Sequence, residues 1–183
     1  MVSTAPVLIL PGWQGSGPAH WQSRWEALYG HVRVEQHDWM RPLRGDWSMR
    51  LEETLLGLDA RQGPAVLVAH SLGCQLVAAW AAHSRQTHRV RGALLVAPGD
   101  TESDALRHLL PSWSPLVLQR LPFRSVLVAS RTDPFCSLDR ARLMAQAWGS
   151  RLEVLEDAGH INADSQLGDW PWGHERLEAL LED

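Results

Sequence analysis

Three residues have the types and the chain order to do chemistry together: Ser71, Asp133 and His160. Ser71 sits in Val66-Leu67-Val68-Ala69-His70-Ser71-Leu72-Gly73-Cys74, where a short apolar run meets a serine with a small residue two positions to either side. A sharp strand-to-helix turn exposes such a hydroxyl, and it brings neighbouring backbone so close that both flanking positions must be small. Gly73 meets that demand and Ala69 exceeds it by one methyl group. A helix starting after Ser71 would aim its free amides and positive dipole end at the site. The plainer reading is a helix cap, because serine is a favoured N-cap residue.

A serine hydroxyl becomes a useful nucleophile only when a base takes its proton and a third group orients that base. Asp133, in Arg131-Thr132-Asp133-Pro134, follows one apolar run; His160, in Asp157-Ala158-Gly159-His160, follows the next. The order serine, acid, histidine is the one used by strand–turn–helix nucleophiles. All three residues follow strand ends, where open parallel sheets place their sites. Plainer roles exist for each: Asp133 before Pro134 suits a turn, and His160 suits a surface position. Asp157 is the rival acid, but a residue three positions upstream is tied to the histidine's own backbone. His70, adjacent to Ser71, is expected to point elsewhere, since triad members meet through folding and not through adjacency.

The first apolar run ends in Pro11-Gly12-Trp13-Gln14-Gly15-Ser16-Gly17. Its glycine order is not the dinucleotide fingerprint, and a phosphate-binding Walker loop needs a lysine that this chain lacks. The loop is better read as a source of one backbone N–H, from Trp13 or next from Gln14. With the N–H of Leu72 it would bind an oxyanion; a simple flexible turn is the alternative. The remaining histidines show no metal-ligand spacing, so neither metal nor cofactor is expected.

These residues need a scaffold. Buried-strand patterns occur at residues 7–10, 32–36, 65–68, 93–96, 125–129 and 152–155, each short and most of them apolar and continuous. Helical patterns lie near 20–28, 47–58, 72–83, 138–148 and 173–181. Such alternation predicts a parallel sheet covered by helices. Residues 97–124 break the rhythm with Pro98, Pro111, Pro115 and Pro122, and predict a short helical, cap-like insert over the site. Trp113 within it and Trp13 are expected at the substrate surface, with the leucines of 109–121. Trp170 and Trp172 also fall in loop-like contexts and could line a pocket.

The bulk composition agrees. A chain of 183 residues suits one domain, large enough to bury about 70% of its unfolded surface without disulfides. The net charge of −4 argues against a general nucleic-acid binder. Two cysteines, Cys74 and Cys136, form no close pair, which fits a reduced cytoplasm. Residues 1–10 lack the basic start of a signal peptide, and no apolar run approaches the ~18 residues of a membrane span.

With these pieces placed, the chain resembles the α/β-hydrolases, and more narrowly the small serine hydrolases related to retinoblastoma-binding protein nine. The resemblance rests on "LPGWQGSGPAHW", "VAHSLG", "SRTDPFC" and "DAGHIN" in that order, and covers nearly the whole chain. It implies a minimal three-layer fold with a six-stranded parallel sheet of order 2-1-3-4-5-6, a Ser71–His160–Asp133 triad and no cofactor. The namesake's Leu-x-Cys-x-Glu segment has no counterpart at Cys74 or Cys136, so its protein partner is not implied. The expected activity is hydrolysis of a small ester or amide with a small to medium apolar acyl group; the alternative is a non-catalytic binding module on the same shell. Oligomeric state is left open.

Overall fold

The computed structural model describes residues 5–182. The first four residues, part of the stretch read as lacking a signal peptide, lie outside that range.

Six strands form one sheet: β1 (Val7–Leu10), β2 (Val32–Arg33), β3 (Ala65–His70), β4 (Val90–Val96), β5 (Arg124–Ser130) and β6 (Arg151–Leu155). Every pairing is parallel and the order is β2-β1-β3-β4-β5-β6, as the resemblance implied. Burial follows position in the sheet. All of β1 and β3 is buried, whereas the edge strands β2 and β6 have no buried residue. The apolar runs of the inner strands exist because helices cover both of their faces. Arg151 and Glu153 on β6 put charge on an edge that would otherwise invite pairing with another chain.

Five helices cover the sheet: α1 (Trp21–Tyr29), α2 (Arg44–Gly57), α3 (Leu72–His83), α4 (Leu138–Trp148) and α5 (Pro171–Glu182). Trp47 and Leu51 of α2, Leu76 and Val77 of α3, and Met144 and Trp148 of α4 share one apolar layer. Trp21 and Trp25 of α1 and Leu177 and Leu180 of α5 share the other. These layers make it the three-layer α/β-hydrolase fold. Residues 72–80 of α3 are buried without a break, the mark of a helix enclosed on all sides.

Two expectations need correction. The second strand is two residues long, not five; beyond it only the Val34 N–H continues the ladder, donating to the Ile9 carbonyl at 2.9 Å. Residues 97–124 form no α-helix before β5 begins, only a 3₁₀ turn at Pro111–Trp113. Successive turns precede it, with the N–H groups of Arg107 and Leu110 donating to the carbonyls of Ser103 and Leu106, and Pro111 and Pro115, which lack an N–H, interrupt the chain beyond them.

Candidate active site

The loops that follow β1, β3, β4, β5 and β6 surround a cleft of about 530 Å³. Ser71 occupies the turn from β3 into α3 at φ 54°, ψ −118°, a conformation that disfavours L side chains. It stands in the N-cap position of α3, yet its side chain makes no capping bond. Its Oγ lies 2.9 Å from His160 Nε2.

The turn is possible because two backbones touch there. A Cβ on Gly73 would come 2.3 Å from the Leu10 carbonyl oxygen, and one on Gly12 would come 2.9 Å from Ser71 Cβ. No side chain fits at either position. Ala69, the departure from the usual pattern, is fully buried in β3 between Leu10 and Leu95, where its methyl group is accommodated.

His160 Nδ1 is 2.9 Å from both carboxylate oxygens of Asp133. A carboxylate only accepts, so Nδ1 carries the proton. Nε2 is then the bare nitrogen, and the Ser71 hydroxyl donates to it. Both partners are sheltered, with side-chain exposures of 9% for His160 and 3% for Asp133. Asp133 Oδ1 also accepts the Phe135 N–H at 2.9 Å. Asp157 is not part of this chain; its carboxylate accepts from the Thr132 hydroxyl at 3.1 Å.

The histidine loop is braced from several sides. His70 Nε2–H donates to the His160 carbonyl at 2.9 Å; complete burial pushes the His70 pKa well down, so this ring is neutral. Trp21 Nε1–H donates to the carbonyl of Ile161, a β-branched residue held at φ 49°. Gln22, fully buried, donates to the carbonyls of Leu10 and Val68 and ties the ends of β1 and β3 together. Sequence reasoning missed these supports. Only His70 carried a signal, and adjacency argued correctly that it points away from Ser71.

The two oxyanion candidates now differ. The Gln14 N–H donates to the Trp39 carbonyl at 3.0 Å and is therefore engaged. The N–H groups of Trp13 and Leu72 have no backbone acceptor among the described residues. Gly12, next to Trp13, is near enough that its Cβ would approach Leu72 N to 3.2 Å.

Trp13 lines the cleft with Leu72, Leu106, Leu110, Thr101 and Phe135. Trp113 does not. It is 2% exposed, packs edge-on against Trp47 and donates its Nε1–H to the Pro42 carbonyl at 2.8 Å. It is a core residue, because burying an indole with its N–H paired satisfies both halves of the side chain. Trp170 is likewise core, stacked on Trp25 and packed at a tilt against Trp21 and Trp172. Among the described residues no group of three or more His, Cys, Asp or Glu side chains is arranged to hold a metal ion, and no helix is long and apolar enough to cross a membrane.

A six-stranded parallel sheet with a serine that lines the cleft at a strand–helix elbow defines the α/β-hydrolase class. The chain belongs to the serine hydrolase family, whose model matches residues 7–179. It is similar to a protein described as a YdeN-like hydrolase from Pectobacterium atrosepticum, with 29% identity, TM-score 0.85, and coverage of 99% of this chain and 93% of that one. The ydeN gene product of Bacillus subtilis shares the fold at 20% identity and TM-score 0.78, covering 98% and 100% of the two chains. So does the carboxylesterase CesB of the same organism, at 15% identity and TM-score 0.63, covering 97% and 84%. No match was found among curated proteins. The chain is an enzyme, a serine hydrolase with esterase-like neighbours.

Proposed function

We propose that the protein cleaves a small ester or amide through an acyl-enzyme on Ser71. One observation carries this reading: the unbroken hydrogen-bond chain from Ser71 Oγ through His160 to both oxygens of Asp133, each link 2.9 Å. Ser71 Oγ attacks the substrate carbonyl carbon while its proton passes to His160 Nε2. Asp133 holds the imidazole tautomer and stabilises the imidazolium. The negative charge on the carbonyl oxygen is met by the N–H groups of Leu72 and Trp13. His160 then protonates the leaving oxygen or nitrogen as the carbonyl re-forms. Water, deprotonated by His160, releases the acid and restores Ser71.

The acyl side is an apolar wall. Thr101, Leu106 and Leu110 come from residues 97–124, which act as a cap-like side wall within a single domain. Together with Leu72 and Phe135 they suit a small or medium apolar acyl group. The finer likeness to hydrolases related to retinoblastoma-binding protein nine belongs to this reading, on the loop, elbow, acid and histidine motifs. A reducing, cytoplasmic setting is supported by Cys74 and Cys136, both free and buried. No metal or cofactor takes part, and chelators are expected to leave the activity intact.

The test is hydrolysis of p-nitrophenyl esters from acetate to octanoate by the wild type and by Ser71→Ala. The expected outcome is turnover favouring the shorter chains, reduced by roughly 10⁵–10⁶ in the variant, the scale seen when a triad nucleophile is removed. Equal turnover by both proteins would overturn the assignment.

A further inference from the structure

The cleft has two unlike walls. Leu72, Leu106 and Leu110 belong to the apolar layer shared with α2, α3 and α4. The facing wall is built from the loop after β1 and the segment after His160: Gln14, His20, Asn162, Ala163 and Asp164. Apart from the indole of Trp13 in the same loop, it offers no hydrophobic side chain larger than the methyl of Ala163. The Asp164 carboxylate forms no ion pair among the described residues, and no arginine lines the cleft.

His20 is the unusual member of that wall. It caps α1, and its Nδ1 accepts the Gln22 N–H at 3.1 Å. That bond requires a bare Nδ1, so in the neutral ring the proton sits on Nε2. The ring is neutral, because burial, with the nearby His160 and Arg33, lowers its pKa to about 3. Yet Nε2 is buried without a hydrogen-bond partner among the described residues, on a side chain only 4% exposed. A buried donor left unpaired costs about 1–3 kcal/mol, so a partner from outside the protein has something to gain there. His20 also stands close to the proposed base: its ring lies 4.7 Å from that of His70, which lies 4.9 Å from that of His160.

His160 must protonate the leaving atom. The leaving group therefore departs beside His160, toward the wall that His160's own segment and His20 form. We propose that the Nε2–H of His20 donates to an oxygen acceptor on the leaving group, and that the enzyme prefers esters whose alcohol portion carries an ether, hydroxyl or carbonyl oxygen over simple alkyl esters. This inference rests on the reading of Ser71 as nucleophile and extends it to the other half of the substrate.

The test uses two esters with one acyl group, n-butyl butanoate and 2-methoxyethyl butanoate, which differ by a single CH₂-to-oxygen exchange. The readout is the ratio of their kcat/KM values, each divided by the rate of alkaline hydrolysis. Wild type is expected to favour the methoxyethyl ester by roughly tenfold, within the range for pairing a buried donor. In His20→Asn, which keeps a residue able to cap α1, the ratio should fall toward one. Hydrolysis of both esters by wild type with a ratio near one overturns the inference alone, and needs no variant. An unchanged ratio in the folded variant also overturns it. Wild type that cleaves neither ester and forms no acyl-enzyme overturns the nucleophile assignment, and this inference with it.

Discussion

A Cβ added at Gly73, in the elbow, would sit 2.3 Å from a backbone oxygen, while one added at Gly99, in residues 97–124, would find nothing closer than Ser71 Oγ at 3.6 Å. Both segments border the same cleft, and they are built on different terms. In the elbow, backbone meets backbone, so each position has a requirement that one residue type satisfies. In residues 97–124, shape comes from side chains filling space against α2 and α4, and from ion pairs such as Arg140 with Asp100 and Glu102. Many sequences could meet those terms. The first kind of segment can be read from short motifs; the second kind cannot.

Five substitutions and a titration can break or sharpen this contrast. The largest effect is expected at the acid. Asp133→Asn should keep the fold and lower kcat by roughly 10³–10⁴, because the amide favours the wrong imidazole tautomer. Asp157→Asn, whose carboxylate faces Thr132, should cost about tenfold or less, ~1.4 kcal/mol of barrier. Steady-state kinetics with circular dichroism on both variants decides between them, and a reversed outcome would move the acid to the histidine's own loop.

Trp113→Ala comes next. An indole that is 2% exposed and hydrogen-bonded to Pro42 should cost about 3–5 kcal/mol of stability when removed. The acyl-chain profile should hold its shape. A changed profile with an unchanged denaturation midpoint would return Trp113 to the substrate surface.

Gly73→Ala and Gly99→Ala test the contrast itself. The first forces a methyl group into the Leu10 carbonyl and should destabilise by about 1–3 kcal/mol while displacing Ser71. The second should alter stability by less than about 0.5 kcal/mol, the scale of a substitution with room for it. Equal effects in urea titrations would mean that the elbow is not the more constrained of the two.

The smallest effect is a slope with pH. Burial holds His31 down to about 4, with His174 contributing by charge, and burial also lowers His174 itself. His20 is held down to about 3. For each, the folded pKa lies below the unfolded value of about 6.5. The unfolded chain therefore binds more protons as the pH falls. The stability these groups contribute is complete above about 6.5 and is lost progressively toward 4 and below. Urea midpoints should decline from pH 7 to pH 5, and His31→Gln should flatten the decline; a level midpoint in wild type would contradict the assignment.

The contrast also explains what the sequence made legible. The inner strands and helices α3 and α4 were readable because burial on both sheet faces forces continuous apolar runs, and because Gly149, at φ 72°, ends α4 where the pattern stops. The second strand was overread because this edge strand loses its partner after two residues while the alternation of Val32 and Val34 suggests that it runs on. Ser71, Asp133 and His160 were legible as residues because each follows a strand. Their mutual distances depend on braces from His70, Trp21 and Gln22 that carry no motif. Trp113 was misplaced because proline-broken apolar sequence looks alike in a cleft wall and in a core. His20 was passed over because only three-dimensional structure distinguishes a capping imidazole with an orphaned nitrogen from any other histidine.

The central claim is that Ser71 is an activated nucleophile, and covalent labelling tests it most directly. A fluorophosphonate probe reacts with a serine whose proton is drawn to an adjacent base. Peptide mapping should place a single stoichiometric adduct on Ser71 in wild type, slowed in Asp133→Asn and abolished in Ser71→Ala. No adduct on the folded protein, or an adduct on another residue that survives Ser71→Ala, would contradict the account.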